Sequence, residues 1–201
     1  MIRAIVLAAG ASSRMGQAKA ALPLGPTGET VVARVVRTLL TAGLPSVTVV
    51  AGAHIDAVRA AMPAFEPRAR VVEHLGWAQG QLSSLLAGLA AVDDAQLEAV
   101  LVTLVDVPLV RPESVAAIVH AWRRTRAPIV RPVDGQRHGH PVVFDRTVFD
   151  DLRHADPQVG AKAVFATHAS HRVDVPIKDA GAFVDMDTPD DYRTIQNEPS
   201  R

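Results

Sequence analysis

The strongest constraint on this chain is its alternation of short apolar runs with segments of helical period. Ile2–Ala8 reads as a first buried strand, and Val47–Ala51, Arg70–Glu73 and Ala99–Val105 repeat the pattern. Between them, Val31, Val32, Val35, Val36, Leu39 and Leu40 recur at the spacing of one helix face, opening near Thr30 and stopping at Gly43. A short helix is expected from about His54 to Met62, and another around Leu82, Leu85, Leu86 and Leu89. Pro112 suits a first helical turn, followed by the stripe Val115, Ile118, Val119 and Trp122. Ile129–Arg131, Val142–Phe144 and Arg172–Val175 read as further strands, with helix-like stretches around Phe149 and Val164 and a last helix from Thr188. Such alternation predicts an α/β fold: a single-domain, Rossmann-like, mostly parallel sheet with helices on both faces. Ala99–Val105, the most apolar of these strands, is expected at the sheet centre, where both faces are covered. The domain is expected to span 1–196, with 197–201 as a flexible tail.

Composition narrows the function. Twenty-one basic residues balance 21 acidic ones, which gives no footprint for nucleic acid or a membrane surface. The chain has no cysteine, so disulfides, thiolate metal sites and cysteine nucleophiles are excluded. No apolar run approaches the ~18 residues of a membrane helix. The N-terminal run passes into Gly10, two serines and Arg14, and is read as a strand, not a leader. A cytoplasmic location is the expectation.

The segment after the first strand carries the most chemistry: Leu7, Ala8, Ala9, Gly10, Ala11, Ser12, Ser13, Arg14, Met15 and Gly16, then Lys19. Small residues on a βα loop let backbone N–H groups approach a phosphate, while Arg14 and Lys19 supply positive charge. The Walker pattern is absent because Gln17 follows Gly16, and no Gly-x-Gly triplet occurs anywhere in the chain. Asp106 closes the most apolar strand, where it is either a metal ligand or the cap of the following turn. Thr188, Pro189 and Asp191 form a helix-start signature, which assigns Asp190 and Asp191 to the helix and leaves Asp187 free. Gly80, Gln81, Leu82, Ser83 and Ser84 start a helix. Ser83 is read either as a plain first-turn residue or as a nucleotide contact. His138 and His140 lack a third ligand for zinc.

The run Leu-Ala-Ala-Gly-x-Ser-Ser-Arg-Met-Gly-x-x-Lys resembles the signature of the MobA-like nucleotidyltransferases, and within them the molybdenum cofactor cytidylyltransferases. Gly80–Ser84, Asp106-x-Pro108, Gly139-His140-Pro141 and Asp185-x-Asp187-Thr188-Pro189 follow in the family's order. The resemblance implies Mg²⁺ held by Asp106 and Asp187, with Asp185 as the alternative second ligand. It also implies nucleotide contacts from the glycine loop and Gly80, Ser83 and Ser84, and acceptor contacts from His138, Gly139 and His140. Arg14 and Lys19 would stabilise the leaving pyrophosphate. Guanylyl-transferring relatives carry Leu-x-Gly-Gly, whereas Ala9 stands here, so CTP is the expected donor. Molybdenum-bearing molybdopterin is the expected acceptor, and the product would pass to a molybdoenzyme or its insertion chaperone. The alternatives are a GTP-dependent enzyme, a sugar- or polyol-phosphate nucleotidyltransferase, an NAD(P)H-dependent reductase and a non-catalytic nucleotide sensor.

Overall fold

The computed structural model describes residues 1–63 and 66–196; the expected tail, 197–201, lies outside the described residues. The strands are β1 (Ile2–Ala8), β2 (Pro23–Leu24), β3 (Glu29–Thr30), β4 (Val47–Ala51), β5 (Ala69–Glu73), β6 (Ala99–Leu104), β7 (Ile129–Asp134), β8 (Arg137–His138), β9 (Val142–Asp145) and β10 (Val173–Pro176). The helices are α1 (Val31–Thr41), α2 (Ile55–Ala61), α3 (Gln81–Val92), α4 (Pro112–Thr125), α5 (Phe149–His154), α6 (Lys162–Thr167) and α7 (Pro189–Gln196).

The main sheet runs β10-β7-β9-β6-β1-β4-β5, with β8 paired to β7 at the side, and β2 and β3 form a separate small hairpin. β1 pairs in parallel with both β4 and β6, and β4 pairs in parallel with β5. As expected, β6 is central. The exceptions to the parallel pattern are β9, antiparallel to both β6 and β7, and β8, antiparallel to β7. The physical reason lies in the connections: a parallel return needs a crossover of a dozen or more residues, and the stretch from β7 through β8 to β9 is too short.

Alternate residues along β1 divide the core. Ile2, Ala4, Val6 and Ala8 pack under α1, α2 and α4, while Ile5, Leu7 and Ala9 pack under α3. Thr30 starts α1 by accepting a hydrogen bond from the Ala33 N–H at 3.2 Å. Gly88 brings α3 close to the sheet, because a Cβ there would lie 2.6 Å from Ile5 Cγ2 and 2.9 Å from Val50 Cγ2. This close seating sets the N-terminus of α3 beside the carboxyl ends of β1 and β4. No helix among the described residues is long and apolar enough to cross a membrane.

Candidate active site

At the carboxyl end of β1 the chain turns sharply. Ser12 adopts φ +50° and Gly16 φ +72°, and the Met15 and Gly16 N–H groups both donate to the Ser12 carbonyl, at 2.9 and 3.0 Å. Met15 is buried in the core and anchors this turn. Lys19 opens a single 3₁₀ turn and is only 8% exposed, unusual for a lysine.

The buried ammonium of Lys19 meets two carboxylates. Its Nζ lies 2.5 Å from Asp187 Oδ1 and 3.7 Å from Asp106 Oδ2. Arg14, largely exposed, reaches the other Asp187 oxygen at 2.8 Å. The glycine loop, the tip of β6 and the segment before α7 therefore converge at one point. The convergence is fixed by the backbone, since the Met186 N–H donates to the Asp106 carbonyl at 2.8 Å. Asp185 makes no ion pair among the described residues.

The two aspartates differ electrostatically. Lys19, then Arg14, holds the Asp187 carboxyl below its ordinary pKa against a smaller opposing effect of burial. Burial pushes Asp106 up, more than Lys19 pulls it down, and the charges of Asp185 and Asp187 push the same way. Asp106 Oδ1 is buried without a hydrogen-bond partner among the described residues. An orphaned carboxylate oxygen beside a second carboxylate suits a hard divalent cation. Among the described residues no three His, Asp or Glu side chains converge as a complete metal cage. A cation here would thus complete its shell with water and ligand oxygens, as Mg²⁺ commonly does.

A cavity of about 250 Å³ opens beside this cluster. Leu7, Ala8, Ala9, Gly10, Ser12, Lys19, Gly80, Ser84 and Asp106, all singled out from the sequence, line it. Ser13, Arg14, Met15, Gly16, Ser83 and Asp187 are not among its lining residues. The Ser83 hydroxyl instead donates to the Gly80 carbonyl at 2.7 Å and lies 3.0 Å from His74 Nε2, so it braces its own loop. Gly80 caps α3 with no side-chain acceptor, which leaves the first-turn N–H groups free.

Sequence reasoning missed His54, Trp77 and Gln81 in the same wall. His54 and Trp77 follow β4 and β5, so the rule that ligands sit beyond the carboxyl ends of parallel strands marks their loops, though not which residue of each loop reaches the site. His54 Nε2 lies 2.9 Å from the Ala11 carbonyl and so steadies the glycine loop.

A second cavity, about 570 Å³, shares Leu7, Gln81 and Leu104 with the first. His138, Gly139 and His140 line it, together with Arg131 and Lys162, which the sequence did not single out. Burial holds the His140 pKa below the ordinary histidine value, outweighing a backbone hydrogen bond to Val102 and the charge of Asp185. Burial thus favours its neutral imidazole over the charged form. Arg131, 8% exposed, is held by Asp174 at 2.7 Å.

A family model described as the MobA-like NTP transferase domain matches residues 4–173, which span the glycine loop, Asp106 and the second-cavity wall. The chain belongs to the MobA-like NTP transferase domain family. A probable molybdenum cofactor guanylyltransferase of Mycobacterium avium (strain 104) is 36% identical over 134 residues, 67% of this chain and 64% of that protein. The chain thus matches a little under two thirds of that relative's length. Nicotine blue oxidoreductase of Paenarthrobacter nicotinovorans is 36% identical over 150 residues, 72% of this chain and 71% of the relative. Among solved structures, Rv0371c of Mycobacterium tuberculosis H37Rv superposes with a TM-score of 0.80 at 29% identity, covering 99% of this chain and 100% of that one. The same mycobacterial protein in complex with manganese gives a TM-score of 0.76 at 28% identity, covering 98% and 99%. Asp187, beyond the family match, is nevertheless joined to this MobA-like domain by the Lys19 and Arg14 contacts.

Proposed function

We propose that this MobA-like domain transfers a nucleoside monophosphate from an NTP to the phosphate of a molybdenum-cofactor-type acceptor, releasing pyrophosphate. The observation that carries the proposal is the convergence of Lys19 and Arg14 on Asp187 beside the orphaned oxygen of Asp106. In this reading the nucleotide occupies the first cavity and the acceptor the second. The acceptor phosphate would reach the α-phosphorus near the shared wall of Leu7, Gln81 and Leu104.

The residues contribute position and charge. Lys19 and Arg14 bind the β- and γ-phosphates and offset the charge that builds on the leaving pyrophosphate. The free N–H groups of the glycine loop and of the first turn of α3 orient the nucleotide. Gly139 and His140 shape the acceptor wall. No general base is required, because a phosphate acceptor is ionised at neutral pH. Asp106 and Asp187 would hold a divalent cation that neutralises phosphate charge; Mg²⁺ is our assignment, and the manganese complex of Rv0371c supports divalent binding in this fold.

For the donor, the relatives support GTP over the CTP expected from Ala9. The mycobacterial relative is named a guanylyltransferase. Ala9 is 3% exposed and packs into the apolar cluster under α3, so its methyl presents little surface to a base. The decisive experiment measures pyrophosphate release with each NTP, a divalent cation and molybdenum-loaded molybdopterin. Release dependent on GTP and acceptor is expected. Failure with every NTP would reject the proposal.

One relative favours a second reading. The Paenarthrobacter protein is named an oxidoreductase, so a reductase on this scaffold is the competing activity. The absence of any Gly-x-Gly triplet speaks against a dinucleotide fingerprint. Consumption of NAD(P)H with a dye acceptor would favour the reductase.

A further inference from the structure

The chain contains two tryptophans, and they are used differently. Trp122 is 1% exposed, donates from Nε1 to Asp145 at 2.9 Å and is covered by Arg126 at 4.5 Å from the ring centroid. Its role is wholly internal. Trp77 is half-buried, stands on a single 3₁₀ turn between β5 and α3, and lines the first cavity.

The base of the Trp77 side chain is locked in place. A Cβ on Gly52 would lie 2.5 Å from Trp77 Cβ, 2.7 Å from Cγ and 2.9 Å from the Ala9 carbonyl. Glycine at this position thus lets the indole seat against the end of β4, with the Ala9 carbonyl close by. The Ser83 hydroxyl donates to the Gly80 carbonyl at 2.7 Å and stands 3.3 Å from the Gly76 carbonyl, bracing the loop around the tryptophan. The result is a rigid aromatic surface beside free helix N–H groups, in a cavity that also holds Lys19 and Asp106.

Resting on the nucleotidyltransferase reading, we infer that Trp77 is a specificity-determining residue that stacks on the nucleobase of the NTP. The charged end of the cavity suits phosphates, and the base is the part of an NTP with a π-face to place on an indole. Rigid aromatic surfaces bind bases with little ordering cost, and the larger face of a purine gains more. This arrangement gives GTP an advantage over CTP that does not depend on Ala9.

The test compares nucleotides with pyrophosphate, which carries the phosphate charge without a base. GTP, CTP and pyrophosphate, each with Mg²⁺, are titrated into the unsubstituted chain, Trp77→Phe and Trp77→Leu, by calorimetry and tryptophan emission. GTP should quench the emission of the unsubstituted chain but not that of Trp77→Phe, in which only Trp122 remains. Trp77→Leu should weaken GTP by about tenfold, CTP by less, and leave pyrophosphate within about twofold, while Trp77→Phe recovers most of the GTP affinity. Equal weakening of GTP and pyrophosphate would reduce Trp77 to a structural role and overturn the inference, as would unchanged GTP affinity in Trp77→Leu. If no nucleotide binds the unsubstituted chain, the nucleotidyltransferase reading falls, and this inference with it.

Discussion

At the residue scale, the site is organised around the cost of burying charge. Lys19 is nearly enclosed and faces Asp187 and Asp106; Arg14 lies in solvent and, among the described residues, pairs with Asp187 alone. The buried cation acts in a weaker dielectric, so its loss should matter more. Lys19→Ala is expected to lower turnover by about 100-fold or more, and Arg14→Ala by a smaller factor, in pyrophosphate-release kinetics. Equal effects would mean that burial does not set their contributions. Asp106 yields a prediction of opposite sign for stability and activity. Its pKa is raised by burial, so the folded chain holds that proton more tightly than the unfolded chain does. This contribution to stability is fully present below the ordinary carboxyl pKa, about 4, and is lost as pH rises through the raised value. Asp106→Asn should therefore stabilise the protein at pH 7 by on the order of 1 kcal/mol and abolish transfer. Denaturation across pH would show the gain shrinking as pH falls towards about 4. A variant less stable than the parent at pH 7 would refute the account.

At the element scale, capping shows what a sequence makes visible. Thr30 accepts from the Ala33 N–H and donates its hydroxyl to the Ala61 carbonyl at 2.6 Å, so one side chain starts α1 and ties it to the end of α2. Thr30→Ala should cost about 1–2 kcal/mol in chemical denaturation, whereas Thr30→Ser should retain most of the stability. The start of α7 was equally legible. Asp191 accepts from the Thr188 N–H at 2.7 Å and returns its own N–H to the Thr188 hydroxyl at 3.2 Å, as the capping box requires. β1, β4 and β6 and the helices between them could be read because their apolar periods are long and their packing is local in pattern. The hairpin of β2 and β3 was not, because two-residue strands carry no period. The antiparallel β9 was hidden because strand direction depends on connection length, not on side-chain alternation. Of the candidate site, the glycine loop and Asp106 were legible as motifs. His54 and Trp77 were not, since single residues on unrelated loops become neighbours only after the sheet orders them.

At the scale of the whole molecule, the first cavity lies over the parallel half of the sheet and the second over the half containing β9 and β7, the two meeting at Leu7 and Leu104. A short turn, Ala180–Phe183, wedges the halves together. From one side Gly139 approaches it so closely that a Cβ would lie 2.1 Å from the Ala182 carbonyl, which also accepts the His140 N–H at 2.9 Å. From the other side Gly181 leaves no room for a Cβ, which would lie 2.2 Å from the Leu109 carbonyl. Asp179, 5% exposed, pins the start of the turn by accepting from the Arg111 N–H at 2.8 Å and the Ser114 hydroxyl at 2.7 Å. The wedge thus connects the proposed acceptor wall at Gly139 with the backbone that carries Asp185 and Asp187. Gly139→Ala or Gly181→Ala must displace this same turn, and each should cost about 1–3 kcal/mol of stability by overpacking. Both should also weaken nucleotide binding, because moving the turn draws Asp187 away from Lys19, even though neither glycine lines the first cavity. Because the two substitutions press the turn from opposite sides, each blocks the shift that would relieve the other. The double variant should therefore lose more than the sum of the single losses, by at least about 0.5 kcal/mol in a double-mutant cycle. Strict additivity would mean that the two glycines relax independently and that the turn does not couple the cavities.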